Sequence, residues 1–369
     1  MTKHDCLESI NSLYVEKTAK GYNMKPCCLW KRTGSHGLGF TDKIEDLIDH
    51  PVLNEVRTRF IPTETSNWKR DECDTCVMKE NTGGISKRLR SLERGYNGTI
   101  QRWDIRPGHT CNLKCIMCNP NNSSKWYEDL DIYESYNGTT LNLEQQRIRE
   151  QLDWDYIVDK CKNNAKEIYI AGGEPFYMKS INDFLDRLSQ FEWNRKNTRL
   201  TIQTNAMSNS EKLLNILKKF QRLNFNISID GWGSVNELIR FPTVHEEMLK
   251  NVSQLQKLQP WMIWNMTVQA LNLPNIDKTI EKIGETWKPI NPHYYDLNKL
   301  WSPRHLSINS LKPSVVARVN AMTKLKKIKE FCKDYKYDAK QNVTMQKFLL
   351  ELDEKRGTNS PKTIPWCFV

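Results

Sequence analysis

Three cysteines lie close together in Cys111-Asn-Leu-Lys-Cys115-Ile-Met-Cys118. A C-x3-C-x2-C triplet on one short loop offers three thiolates to one metal group, and such thiolates are the usual ligands of iron–sulfur clusters. Three held corners of a [4Fe–4S] cube leave the fourth iron open to an outside ligand. The competing chemistry is a zinc knuckle that recruits His109, since a structural zinc site needs four protein ligands. Three buried structural thiols are the remaining alternative.

A second pattern follows in Glu167-Ile-Tyr-Ile-Ala-Gly-Gly-Glu-Pro-Phe176. It reads as a short buried strand that ends in a glycine turn. Paired glycines let backbone amides approach a ligand closely, and Glu174 can accept a hydrogen bond from an ammonium group. Taken alone, Gly172-Gly173-Glu174-Pro175 is also an ordinary strand-to-helix turn.

With these two motifs in order, the chain resembles the radical SAM superfamily over about residues 98–311. Cys111, Cys115 and Cys118 match its C-x3-C-x2-C signature, and Gly172-Gly173-Glu174-Pro175 matches its GGE motif. Asn226-Ile-Ser228-Ile-Asp230-Gly231, followed by Glu237-Leu-Ile-Arg240, is similar to the fourth-strand segment of the subgroup with SPASM or twitch extensions. Met117 stands where the family often has an aromatic residue near the adenine.

The resemblance implies a [4Fe–4S] cluster that binds S-adenosylmethionine (SAM), with Cys111, Cys115 and Cys118 as its ligands. It implies reductive cleavage of SAM to a 5′-deoxyadenosyl radical that abstracts hydrogen from a substrate. Gly172, Gly173 and Glu174 would hold the methionine ammonium, Ser228 the methionine or ribose portion, and Arg240 the methionine carboxylate. A guanidinium fork suits a carboxylate; the plain alternative for Arg240 is a surface ion pair. Asn205 and Asp230 are candidate ribose contacts, or turn caps. No general acid or base is identifiable, although Tyr169, Gln203, Asn226 and Asn265 sit on strands that line such a barrel.

Eight of the 11 cysteines precede residue 119, and Cys161, Cys332 and Cys367 are isolated. Cys6, the Gly21–Cys27 stretch and Cys73-Asp-Thr-Cys76 resemble the cysteine order of SPASM and twitch extensions. That likeness implies an auxiliary [4Fe–4S] cluster on Cys6, Cys27, Cys73 and Cys76, placed here before the barrel rather than after it. Cys28 is an alternative to Cys27, and a zinc ribbon suits the same spacing.

The elements that must carry these motifs are legible as alternating runs. Strands are expected at 99–106, 167–171, 199–204, 225–230, 263–270 and between about 293 and 309. Apolar residues at helical spacing separate them: Ile181, Phe184, Leu185 and Leu188, then Leu213, Leu214, Leu217 and Phe220, then Met248, Val252 and Leu255. Alternating β and α units imply a parallel sheet with helices outside. The fold class expected is thus α/β, a partial (β/α)6 TIM-like barrel. It carries a small N-terminal cysteine-rich, twitch-like extension and a C-terminal helical segment. Expected regions are 1–95, 96–311 and 312–369. A polar surface loop is expected over 119–145, and one amphipathic helix through Val315, Val319, Met322, Leu325 and Ile328. The apolar tail from Ile364 is expected to pack on the body.

Composition narrows the class. With 55 Lys+Arg against 44 Asp+Glu the chain carries +11, and 38% of residues are hydrophobic. No run approaches the ~20 apolar residues of a membrane span, and no apolar run follows Met1 as in a secretory leader. A cytoplasmic protein without membrane contact is expected. The substrate class expected from extended relatives is a peptide or protein side chain, served by a low-potential electron donor of flavodoxin or ferredoxin type. The basic charge makes RNA, DNA or a nucleotide-derived metabolite the alternative, and a non-catalytic metal-binding interaction protein is a third reading.

Overall fold

The computed structural model describes residues 6–30, 38–58, 73–81, 85–94, 99–138, 140, 142, 148–287 and 295–369. Among these residues nine strands form one sheet: β1 Ser12–Thr18, β2 Gly21–Asn23, β3 Phe40–Thr41, β4 Arg102–Arg106, β5 Glu167–Ile170, β6 Arg199–Thr204, β7 Arg222–Ser228, β8 Trp261–Val268 and β9 Tyr295–Lys299. Their spatial order is β3-β2-β1-β4-β5-β6-β7-β8-β9. From β1 to β9 every neighbouring pair is parallel, and β2 and β3 add an antiparallel margin. The expected α/β class with a parallel sheet of partial-barrel type is what the chain forms. Its six expected strands are β4–β9; positions 293 and 294 of the last expected stretch lie outside the described residues.

Three strands, β1, β2 and β3, were not foreseen. β1 pairs with β4 in register Ser12↔Arg102 through Glu16↔Arg106, so a parallel ladder bridges the boundary expected at residue 95. The Leu13-Tyr14-Val15 run is buried and has the aromatic and β-branched character of a sheet strand.

Alternation along the strands separates two faces. Ile168 and Ile170, Leu200 and Ile202, Phe225 and Ile227, and Trp264, Met266 and Val268 are buried. The helix Lys179–Leu188 buries Ile181, Phe184, Leu185 and Leu188, and His245–Gln256 buries Met248, Val252 and Leu255. On Glu211–Leu217, Leu213, Ile216 and Leu217 are the buried residues. The opposite sheet face is polar. Gln203 Nε2 donates to Ser228 Oγ at 2.7 Å, Asn265 Nδ2 to Gln203 Oε1 at 3.3 Å, and Asn298 Nδ2 to Asn265 Oδ1 at 2.9 Å. An amide ladder therefore crosses β6 to β9 on the face away from the aliphatic core.

Two expectations change. The stretch expected as a polar loop over 119–145 is partly helical: a 3-10 turn Ser124–Asp129 runs into the helix Leu130–Asn137, while 139, 141 and 143–145 lie outside the described residues. Trp126 is fully buried, and that apolar anchor is what folds the segment back. The helix expected as one piece near 315–328 is two, Pro313–Met322 and Lys326–Lys333. Thr323 breaks it in extended conformation, its hydroxyl donating to Asp277 Oδ1 and accepting from Leu325 N. Such side-chain bonding competes with helix continuation. The tail packs on the body as expected, with Ile364 and Cys367 buried and Trp366 Nε1 donating to the Ala270 carbonyl.

Candidate active site

The chemistry-bearing residues gather at the carboxyl ends of the parallel strands, where ligands of such sheets bind. The cysteine loop follows β4, the Gly-Gly-Glu turn follows β5, Asn205 follows β6, and Ser228 closes β7. A cavity of about 300 Å³ is lined there by Cys111, Cys115, Met117, Cys118, Gly173, Glu174, Gln203, Asn205, Ser228 and Arg240, among others. Five separate stretches of local sequence thus supply these residues to one hollow, with three thiols among its lining.

The cysteine loop is fixed by its backbone. Lys114 N donates to Phe241 O and Ile116 N to Ile239 O, both at 2.7 Å, so the loop zips against the segment that carries Arg240. Trp126 Nε1 donates to Cys115 O at 2.9 Å, and Ser123 Oγ to Leu113 O at 2.5 Å. Burial raises all three thiols above their ordinary pKa, Cys118 to about 12. A metal or cluster binding there must displace those protons, so binding releases them.

The paired glycines are structural as well as open. Gly173 has φ +53°, and a Cβ there would collide with the Thr110 carbonyl oxygen; Gly172 has φ +127° with its Cβ site 3.1 Å from Gly108 O. Only glycine lets the turn after β5 lie against the entry of the cysteine loop. Gly173→Ala is expected to cost ~1–3 kcal/mol of backbone strain before the collision is counted. The midpoint of chemical denaturation reads this directly.

Glu174 is 1% exposed and accepts three bonds, from Phe176 N at 3.1 Å, Thr204 Oγ1 at 2.6 Å and Asn205 N at 2.7 Å. Desolvation nonetheless dominates and pushes its pKa up to about 7. The folded value lies above the ordinary 4.5, so the group's stabilising contribution is complete below that pH and is lost as pH rises through about 7. The loss is of order 3 kcal/mol. Ligand-free protein should therefore lose more stability between pH 4.5 and 7.5 than its Glu174→Gln variant, measured by denaturation at each pH. An ammonium ligand in the cavity would reverse the effect by favouring the carboxylate.

Arg240 and Asp230 form a buried ion pair, Nη2 to Oδ2 at 2.7 Å. Arg240 Nη1 also lies 3.9 Å from Cys115 Sγ. The surface ion pair weighed for Arg240 is thus not what forms. Asp230 is fully buried, does not line the cavity, and has its other oxygen bonded to Thr267 N at 2.6 Å. Its carboxylate braces Arg240 and β8 rather than facing the hollow where a ribose contact was expected. Asn205 lines the cavity, and its side chain joins Asn112 Oδ1 at 2.8 Å while accepting from Met207 N. Gly172 is not among the residues that line the cavity.

His109 does not join the thiols. Its Nε2 is 2.8 Å from Tyr127 Oη, and its Nδ1 is 3.4 Å from Glu150 Oε1. Glu150 also accepts from Thr110 N at 2.7 Å and so props the start of the cysteine loop. Glu150, Trp126 and Asn112 were not foreseen, because nothing in their spacing along the chain marks these contacts.

In the N-terminal region Cys6 is buried with Leu7, Ile10, Trp30 and Val56, and Cys27 and Cys73 pack against the same cluster. Cys76 lies close enough for its charge to bear on Cys6. Cys28 turns elsewhere, its Sγ 3.1 Å from Lys87 Nζ, which also pairs with Glu8 and Asp104.

The family model described as the radical SAM superfamily matches residues 105–282, the stretch that carries every strand-end motif of the cavity. Over that stretch, 178 of the 369 residues, the chain matches the radical SAM superfamily. Members of this superfamily are enzymes that pair a [4Fe–4S] cluster with SAM for radical chemistry, and the three thiols lining the cavity are the donor type such a cluster takes. An uncharacterised protein of Methanocaldococcus jannaschii is 27% identical over 136 residues, 37% of this chain and 40% of that one. Among solved structures, native anSMEcpe with bound AdoMet and a peptide is 15% identical and covers 59% of this chain and 57% of that one, with a TM-score of 0.40. SuiB of Streptococcus suis bound to S-adenosylmethionine is 13% identical and covers 82% and 57%, with a TM-score of 0.36. The chain spans less than two thirds of the length of each of these relatives. No helix among the described residues is long and apolar enough to cross a membrane.

Proposed function

We propose that this radical SAM chain binds its SAM-binding [4Fe–4S] cluster through Cys111, Cys115 and Cys118 and modifies a peptide or protein side chain. The observation that carries the reading is the single cavity in which these thiols meet Glu174, Ser228 and Arg240. When bound, the cluster and SAM together supply abstraction of hydrogen from an unactivated carbon. The chain's own groups bind and orient. Glu174 and the Gly172–Gly173 backbone hold the methionine ammonium. Arg240, already aimed by Asp230, offers its remaining donors to the methionine carboxylate, and Ser228 and Asn205 serve the ribose side. Met117, on the cavity wall, packs near the adenine. The protein's part is positioning; the hard chemistry belongs to the cofactor.

An auxiliary [4Fe–4S] cluster on Cys6, Cys27, Cys73 and Cys76 is the second element of the proposal. Its support is the common apolar cluster that Cys6, Cys27 and Cys73 share and the separate engagement of Cys28 by Lys87. On this reading residues 1–95 carry the auxiliary cluster, 96–311 the radical core and 312–369 a helical buttress. Cys76→Ala should halve the bound iron of anaerobically reconstituted protein while 5′-deoxyadenosine formation continues. Unchanged iron, or one equivalent of zinc in the parent protein, would reject the second cluster.

Eleven free cysteines suit a reducing compartment, and a cytoplasmic setting with a flavodoxin- or ferredoxin-type donor follows from that chemistry. The peptide reading is tested by incubating reduced, SAM-loaded protein with peptide and RNA pools and following mass changes. Product on RNA alone, with salt-sensitive binding, would replace the peptide by nucleic acid.

A further inference from the structure

Arg356 ends the long helix Ala339–Arg356, well beyond the stretch matched by the family model. Its side chain is nevertheless 1% exposed, and its Nε donates to Asp129 Oδ2 at 2.7 Å, Asp129 being equally buried. The guanidinium lies 4.8 Å from the ring of Trp126 and 5.4 Å from that of Phe241. These two residues grip the cysteine loop on either side of Cys115: the Trp126 indole bonds Cys115 O, and Phe241 O accepts from Lys114 N. Arg356 thus sits at the back of the loop, braced between its two holders.

The charge balance there is uneven. Lys114 Nζ also bonds Asp129, at 3.0 Å, so two buried cations share one buried carboxylate. Lys114's other partner, Glu128, is about half exposed, where solvent screens it. Arg356 Nη1 and Nη2 are buried and without hydrogen-bond partners in the chain, and Cys115 lies within reach of the guanidinium's charge. Buried donors are normally satisfied, so these two point to an acceptor the chain itself does not provide. Arg240 cannot serve as the source of net charge, because Asp230 neutralises it.

An iron–sulfur cluster gains one negative charge on reduction, and hydrogen bonds and charge around its sulfurs set its potential. We infer that Arg356 is a positioning residue that braces the cysteine loop and supplies an uncompensated buried positive charge favouring the cluster's reduced state. The inference rests on the reading that Cys111, Cys115 and Cys118 hold the cluster.

The test is a redox titration of the reconstituted full chain by electron paramagnetic resonance, following the signal that responds to SAM. Arg356→Gln is expected to retain the loop iron yet show an about tenfold lower ratio of reduced to oxidised cluster at fixed potential, about 59 mV for a one-electron couple. Arg356→Lys keeps the charge and should stay near the parent. Asp129→Asn removes the shared carboxylate and should raise the ratio. A parent-like ratio in Arg356→Gln with full iron would overturn the inference. Should Arg356→Gln lose its iron, Asp129→Asn decides, and a ratio at or below the parent's overturns it. A parent protein with no SAM-responsive signal would instead reject the cluster assignment, and this inference with it.

Discussion

Cys115→Ala should abolish 5′-deoxyadenosine formation, to below detection in reconstituted protein, and leave any metal held by the N-terminal cysteines in place. Cys115 is the central residue of the loop, the buried one of the three thiols, and the one nearest to Arg240. Losing it leaves two thiols where a cube needs three, so the iron that would accept SAM is never presented. The fold should survive. The loop is held through the Cys115 carbonyl and the Lys114 and Ile116 amides, none of which the substitution removes. Cys76→Ala is the contrasting control, since its thiol belongs to the other cluster of cysteines. Turnover equal to the parent's in Cys115→Ala would contradict the ligand assignment.

The second large effect is on Arg240. Arg240→Ala strands Asp230, fully buried, with a carboxylate that has lost its ion-pair partner. Removing one member of a buried pair typically costs ~3–5 kcal/mol, because the remaining charge cannot be resolvated. Burial already raises the Asp230 carboxyl pKa, opposed mainly by Arg240, so the lone acid should take up a proton. The destabilisation should therefore shrink as pH falls. The double variant Asp230→Asn with Arg240→Ala should recover much of the stability and none of the SAM binding. Recovered SAM affinity in that double variant would show that Arg240 matters only as the partner of Asp230.

What the chain revealed before its fold was known follows a physical rule. The strands β4 to β9 and the helices between them were readable, because a period of two or of 3.6 is written locally. The cysteine triplet and the Gly-Gly-Glu turn were readable because their ligands lie within a few residues of one another. β1 was not legible as part of the sheet, because the Leu13-Tyr14-Val15 run is short and its partner strand β4 is remote in sequence. The clamp of Trp126, Asp129 and Arg356 had no local signal at all. Its members are polar or aromatic residues in helices, and only tertiary contact over 227 positions makes them a unit. The same holds for Asp230, whose strand-end position suggested a ligand contact but whose carboxylate turns to Arg240 and Thr267.

The polar sheet face was legible only in part for the same reason. Gln203 and Asn265 were placed on strands from the sequence, but their linkage to Ser228 and Asn298 depends on the register of β6 to β9. Of these residues only Gln203 and Ser228 line the cavity.

The most direct measurement is electron paramagnetic resonance of the dithionite-reduced, anaerobic protein before and after adding SAM. Occupation of an open iron by the amino and carboxylate groups of SAM should change the signal of one cluster, and Cys115→Ala should lose that response. A spectrum of the intact protein that SAM leaves untouched would contradict the account at its root.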